Sequence, residues 1–204
     1  MIKEKFIAWR NARYKVPAVI NLYFGVPGSG KTSIAAYIAK KDMKHGKTVW
    51  SNVPIKGTYK VEKSDIGVYD ISYGRLIWDE AGLDYNNRNW KENLTQEQLY
   101  FYKLHRHYGC AADFFSQGPS DCDIKIRQLA RNMYLINRTF IPGIFTRRTI
   151  RKFVGINDTT KDLIDAYEFK RFSLRFFVCW SAWKLFDTTE HKPLPQKEWT
   201  KWGE

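Results

Sequence analysis

No apolar run in this chain is long enough to cross a bilayer. The longest uncharged stretch, Val16 to Gly30, is broken by Pro17, Asn21, Pro27 and three glycines. The most membrane-like run, Phe176 to Trp183, has eight residues against the roughly 20 that a spanning helix needs. A secretion signal is not expected either, because charges recur throughout Met1 to Lys15 with no apolar centre. Cysteine is scarce: Cys110, Cys122 and Cys179 are odd in number and form no C-x-x-C pair. Free thiols in a reducing cytosol are therefore expected. Internal repeats and low-complexity segments are absent as well. With 204 residues, 44% of them hydrophobic and 16% aromatic, the chain can bury a core without disulfides and is no disordered polymer.

Acidic residues are the minority. Thirty-four Lys and Arg against 21 Asp and Glu give a net charge of +13. Residues 125–204 hold 16 of the basic residues and 8 of the acidic ones, so the excess is denser there, among aromatics. Nucleic acid and anionic membrane surface suit such a balance; a generally basic proteome would also produce it.

Ala18 to Phe24 (AVINLYF) is an apolar, β-prone run, followed at once by Gly25-Val26-Pro27-Gly28-Ser29-Gly30-Lys31-Thr32. The spacing is G-x-x-x-x-G-K-[ST], a phosphate-binding loop between a strand and a helix. Glycines let backbone N–H groups turn inward around a β-phosphate, and the helix through Ser33 directs its positive end there. Lys31 can reach β- and γ-phosphates, and Thr32 can join the shell of Mg²⁺. The helix is expected to run to about His45 and to be closed by Gly46.

Lys47 to Pro54 reads as a second strand, and Arg75-Leu76-Ile77-Trp78-Asp79-Glu80 as an apolar strand ending in two acids. Asp79, 48 residues after Lys31, is placed to hold Mg²⁺, and Glu80 to polarise an attacking water. That second acid favours a hydrolytic ATPase over a nucleotide kinase, which activates no water. A helix over Thr95 to Tyr108 and a strand over Cys110 to Gln117 follow. A short helix (Asp121 to Ala130) and a strand (Arg131 to Phe140) complete the series. The alternation predicts an α/β fold with a mostly parallel sheet and its site at the C-terminal strand ends. If the strand ending in Gln117 lies between the other two, its amide faces the γ-phosphate.

These residues together resemble the FtsK/HerA group of DNA-pumping ATPases, whose corresponding strand ends Thr-Gln-Arg-Pro-Ser; Ser116 and Gly118 depart from it here. More closely, the chain resembles the zonula occludens toxin-like (Zot) family, the assembly ATPases of filamentous phages. The likeness lies in the loop, in Val49 to Pro54, in Asp79-Glu80-Ala81 and in Arg106-His107-Tyr108-Gly109 before the Gln strand. It covers roughly residues 18 to 140. It implies a P-loop NTPase sheet of RecA/FtsK-like, additional-strand order, using ATP and Mg²⁺ to move single-stranded phage DNA during virion assembly and export. It also implies a homo-oligomeric ring, other phage assembly proteins and a host or phage membrane protein as partners, and a place in the host cytoplasm beside the inner membrane. The family name records a toxin activity that these residues give no reason to expect. Members usually continue into a membrane span and an extracytoplasmic tail, neither of which lies within these 204 residues.

The organisation expected is a basic arm over 1–17, an ATPase core over 18–140 and a basic, aromatic extension over 141–204. Within the extension, Thr139 to Gly155 reads as a β-hairpin around Pro142-Gly143 carrying Arg147, Arg148, Arg151 and Lys152. Its cations and rings suit single-stranded nucleic acid, a core with a solvated face, or, with Trp180, Trp183 and Lys184, anionic lipid. His191 to Glu204 reads as a loosely held arm. A ring needs a transition-state arginine from a neighbour. Arg106 is the first choice, at a helix end leading into the Gln117 strand; Arg127, Arg131 and Arg88 are rivals, and a plain polar helix end is the alternative for Arg106. Two other functions stay open: a nucleotide or small-molecule kinase, and a non-catalytic, nucleotide-gated assembly protein.

Overall fold

The computed structural model describes residues 14–85, 94–156 and 163–186. Arg88, the N-terminal arm up to residue 13 and the tail from residue 187 lie outside these ranges.

One sheet organises the described chain. Its strands are β1 (Ile20–Phe24), β2 (Val49–Ser51), β3 (Tyr59–Lys60), β4 (Arg75–Trp78), β5 (Ala111–Ser116), β6 (Asn132–Arg138), β7 (Ile144–Ile156), β8 (Leu163–Phe169) and β9 (Arg175–Val178). They lie in the order β3-β2-β4-β5-β1-β6-β7-β8, with β9 also paired to β7. From β3 to β6 every pairing is parallel; β7 turns back antiparallel on β6 and receives β8 and β9. The hairpin is therefore a continuation of the sheet, with β6 as its first arm, and not two short strands of its own.

Strand alternation decides which residues face which layer. Ile20, Leu22 and Phe24 of β1, Leu76 and Trp78 of β4, and Ala112 and Phe114 of β5 pack with Tyr85, Phe101, Tyr102 and Ile126. Those partners come from α3 (Gln96–Leu104), α4 (Ile124–Leu129) and the residue after α2 (Ala81–Asp84). The opposite face, with Tyr23, Ile77, Phe115 and Ile136, is covered by α1 (Lys31–Lys44) through Ile34, Ala35, Ala36 and Ala39. Small alanines let α1 lie close to the strands. Near the strand starts this face is polar: Arg75 pairs with Asp113 and, at 2.5 Å, with Asp42 of α1, and Asn21 donates to Asp113 at 2.6 Å. Burial opposes Arg75's charge, but the two carboxylates outweigh it and hold its pKa above the ordinary value.

Local chemistry sets the helix ends. Lys41 and Lys44 sit in the last turn of α1, where cations suit the helix dipole, and Gly46 follows at φ 70°. Thr95 and Gln98 form a reciprocal capping box at the start of α3. That helix stops at Leu104, earlier than expected, and turns carry the chain to β5. All three cysteines are buried and free, and burial pushes each thiol up to about 12.

Candidate functional site

The loop from Gly25 to Gly30 leaves β1 at the C-terminal edge of the sheet and closes on the start of α1. Three of its positions admit only glycine. Gly28 and Gly30 take φ of 76° and 97°, and a Cβ on Gly25 would fall 2.8 Å from the Ile136 carbonyl. A Cβ on Gly30 would also enter the ring of Phe145, which β7 sets against the loop. Gly30 offers no side-chain cap and the first turn of α1 holds no acid, so the helix itself supplies nothing that neutralises its positive end. Ser29 Oγ is buried without a hydrogen-bond partner. Val26 and Pro27, by contrast, are exposed at the loop tip.

Lys31 is buried and donates from Nζ to the Gly25 carbonyl at 2.9 Å and the Val26 carbonyl at 3.4 Å. Its ammonium is thus folded across the loop. Thr32 Oγ1 donates to Asp79 Oδ2 at 2.7 Å, joining the start of α1 to the end of β4. Ser33 is buried beneath them. Burial raises the Asp79 pKa, while the Thr32 hydroxyl, the Glu80 N–H and Lys31 oppose that rise. A hydroxyl and a mostly buried carboxylate at hydrogen-bond distance form an all-oxygen pair suited to a hard divalent cation such as Mg²⁺. The glycine cradle, the orphan Ser29 hydroxyl and this pair all fit a magnesium–nucleotide ligand.

Glu80 follows at φ 50°, ψ 45°, a left-handed conformation unusual for a glutamate. Its N–H donates to Asp79 Oδ1 at 3.0 Å. β5 lies between β1 and β4, pairing Phe24 with Ser116 and Trp78 with Phe114. Gln117 therefore stands exposed at the same edge, between the loop and the two acids.

Arg106 lies elsewhere. α3 runs back across the sheet, and the turn after it feeds the first residue of β5, so Arg106 sits exposed at the edge where strands begin. Tyr108 O accepts from Tyr73 N–H and His105 O from Cys110 N–H there. The six residues of β5, at ~3.3 Å each, put about 20 Å between it and the loop. Arg131, just before β6, lies at that same far edge, its N–H bonded to Ile20 O. Arg127 is half-buried on α4.

Two side chains at the site carry no motif. Arg138 ends β6 beside the loop strand and is exposed at the nucleotide edge. Asn52, just past β2, accepts from Asp79 N–H at 2.8 Å and donates to the Asp79 carbonyl at 2.9 Å. Only a polar residue at a strand end hinted at Arg138, while Asn52 lies within Val49 to Pro54, whose likeness to the family assigned it no role.

Strand order, loop and paired acids define a P-loop NTPase. The sequence profile described as zonular occludens toxin (Zot) matches residues 58–182. The chain belongs to that family. Among solved structures it is similar to the N-terminal domain of zonular occludens toxin from Neisseria meningitidis. There the TM-score is 0.51 at 20% identity, covering 84% of this chain and 100% of that one. The genome packaging NTPase B204 from Sulfolobus turreted icosahedral virus 2, in complex with ATP-gammaS, gives 0.46 at 16% identity over 73% and 97%. The flagellar accessory protein FlaH from Methanocaldococcus jannaschii gives 0.44 at 11% over 85% and 95%. No curated protein matches. Among the described residues no helix is long and apolar enough to cross a membrane.

Proposed function

We propose that this protein is an ATP-hydrolysing motor of filamentous phage morphogenesis, coupling hydrolysis to the movement of phage DNA during virion assembly. The observation that carries the reading is the pairing of Thr32 with Asp79 at 2.7 Å, with Glu80 next in the chain. That arrangement serves a water attack on a terminal phosphate, whereas a nucleotide kinase activates no water. Family membership supports the phage setting.

In this reading Lys31 exchanges its loop carbonyls for β- and γ-phosphate oxygens as ATP enters. Backbone N–H groups of the loop and the start of α1 receive the β-phosphate. Thr32 and Asp79 would hold Mg²⁺, which when bound draws charge from the phosphate oxygens. Glu80 takes the proton of a water whose oxygen bonds to the γ-phosphorus while the bridging bond to ADP breaks. Gln117 orients that water or the γ-phosphate from the neighbouring strand.

Residues 18–140 form the motor core in this proposal, 141–204 its basic extension, and 1–17 an arm. The protein works as a homo-oligomeric ring on single-stranded DNA, at the cytoplasmic side of the host inner membrane, with other assembly proteins. Arg148 and Arg151 are exposed on β7 and available to phosphates. Trp180 and Trp183, about half exposed at 52% and 43%, offer a surface for a membrane or partner.

The test is ATPase turnover with and without single-stranded DNA at two salt concentrations, beside Lys31→Ala. Turnover that DNA stimulates and Lys31→Ala abolishes supports the motor. Phosphate transfer to a small acceptor would make it a kinase. Tight ATP binding without turnover would make it a nucleotide-gated assembly protein.

A further inference from the structure

We infer that Asn52 is a positioning residue of the hydrolytic site, a two-bond clamp on Asp79 that fixes where the Glu80 carboxylate is delivered. The inference rests on the hydrolase reading above.

The argument starts from backbone bookkeeping. β2 and β4 pair in parallel as far as Ser51 and Ile77, and the Asn52 N–H makes a last, long ladder bond to Ile77 O at 3.4 Å. β4 then ends at Trp78, and the chain turns away through the left-handed Glu80. A turning chain leaves the ladder, so the N–H and C=O of Asp79 need other partners in a buried setting. The Asn52 side chain supplies both: Oδ1 takes the N–H at 2.8 Å, and Nδ2 gives to the carbonyl at 2.9 Å. A primary amide carries a donor and an acceptor on one planar group, and asparagine is the shortest residue with one.

The consequence falls on the next residue. The Asp79 carbonyl and the Glu80 N–H belong to one planar peptide group. Asn52 holds that plane by its carbonyl, while Asp79 Oδ1 holds it by its N–H at 3.0 Å. With the plane fixed at both edges, the Cα of Glu80 is fixed too, and its left-handed turn starts from a set plane. Release of the carbonyl lets the plane rotate, which draws the Glu80 N–H from Asp79 Oδ1 and moves both carboxylates. Asn52 itself is bonded to backbone and acts only through Asp79 and Glu80. Its loop is anchored behind it: Val53 N–H bonds Ser51 Oγ at 3.2 Å, and Lys56 N–H bonds Leu185 O at 2.6 Å.

The experiment compares Asn52→Ala and the isosteric Asn52→Asp with wild type. Asn52→Asp keeps the acceptor, loses the donor, and stands in if Asn52→Ala does not fold. Each variant should lose about 10-fold or more in kcat with KM for ATP little changed. Affinity for a non-hydrolysable ATP analogue should hold without magnesium, while the Mg²⁺ concentration that half-saturates its binding rises. In a Glu80→Gln background the kcat loss should nearly vanish, because both changes disable one carboxylate. A folded variant with wild-type kcat and magnesium dependence overturns the proposal alone, and so does a loss that adds in full to that of Glu80→Gln. Absence of turnover in the wild type overturns the hydrolase reading and this inference with it.

Discussion

The Thr32 hydroxyl donates to the Asp79 carboxylate across 2.7 Å, linking residues 47 positions apart. One sits on the helix that follows the phosphate loop and the other at the tip of β4. Either partner should be removable without collapse of the fold, because each lies at an element end. Thr32→Val and Asp79→Asn are expected to bind ATP normally in chelator yet lose the gain in affinity that Mg²⁺ confers. Calorimetric titration with and without magnesium reads this directly. An undiminished magnesium effect in both variants would move the cation elsewhere.

Glu80→Gln keeps the shape of the side chain and removes its basicity. ATP binding should persist while turnover falls by about 10²-fold or more, the usual contribution of a positioned base. Phosphate release under saturating ATP is the measurement. Normal hydrolysis would pass the role of activating water to another group.

How much of this was legible in the sequence varies by element. The loop was, since eight contiguous residues carry its chemistry and the glycines answer local backbone demands. β4 was too, as an apolar run closed by acids, whereas the place of β5 between β1 and β4 stood only as a condition until the sheet order met it. Arg106 misled because a crossover helix runs opposite to its strands. A residue at the C-terminal end of α3 must land where β5 begins, away from the loop. Asn52 was legible only as part of Val49 to Pro54, and its role was not, because a side chain clamping a neighbouring strand's backbone leaves no periodic trace. Adjacent arginines in β7 were legible as charge but not as faces. Phe145 and Arg147 share the face that packs against the loop and α1, while Arg148 points to the other.

Burial separates the basic residues of the hairpin by role. The Arg147 guanidinium lies 4.1 Å from the centre of the Tyr134 ring and 5.2 Å from that of Phe177, and its Nε is buried. Arg147→Ala should therefore lower stability by about 1–2 kcal/mol, seen as a shifted denaturation midpoint. Arg148 stacks on Phe169 at 4.3 Å but remains exposed, as does Arg151. Changing both to alanine should leave the midpoint nearly unmoved and flatten the salt dependence of single-strand binding by about 0.7 per lost contact. An unchanged salt slope would return β7 to a solvated face without a nucleic-acid role.

His105 gives the fold an acid-sensitive point. Burial lowers its pKa first and Arg106 adds to that, against the Tyr102 and Ala18 carbonyls, which raise it. Its Nδ1 lies 2.6 Å from the Tyr102 carbonyl. Because the folded value is depressed, the unfolded chain takes up the proton first as pH falls below the ordinary histidine value of about 6.5. The stability that neutral His105 contributes is full above that pH and is lost as pH drops through the folded value. Thermal midpoints at pH 7.5, 6.5 and 5.5 should decline more steeply for wild type than for His105→Gln. Equal slopes would assign the decline to other groups.

In the proposed ring, the last question is whether an arginine completes the site across a subunit boundary. Hydrolysis builds charge on the γ-phosphoryl oxygens, and a trans arginine is worth about 10³-fold or more in rate. Arg106, at the far edge of its own sheet, cannot serve its own nucleotide and would act only if a neighbour's packing carried it there. Arg138 stands exposed at the nucleotide edge beside the loop strand, where a residue can reach its own site or one across an interface. Lys31→Ala, which keeps every arginine, separates the cases when mixed with Arg106→Ala or with Arg138→Ala. None should turn over alone if the arginine is essential. Recovery in a mixture shows a good loop in one subunit served by a good arginine from the next, and names the residue. A dead mixture that still co-assembles places that arginine in the subunit whose ATP it serves, the outcome expected of Arg138 acting in cis. Unimpaired turnover in folded Arg106→Ala and Arg138→Ala alike would pass the role to Arg127, Arg131 or Arg88.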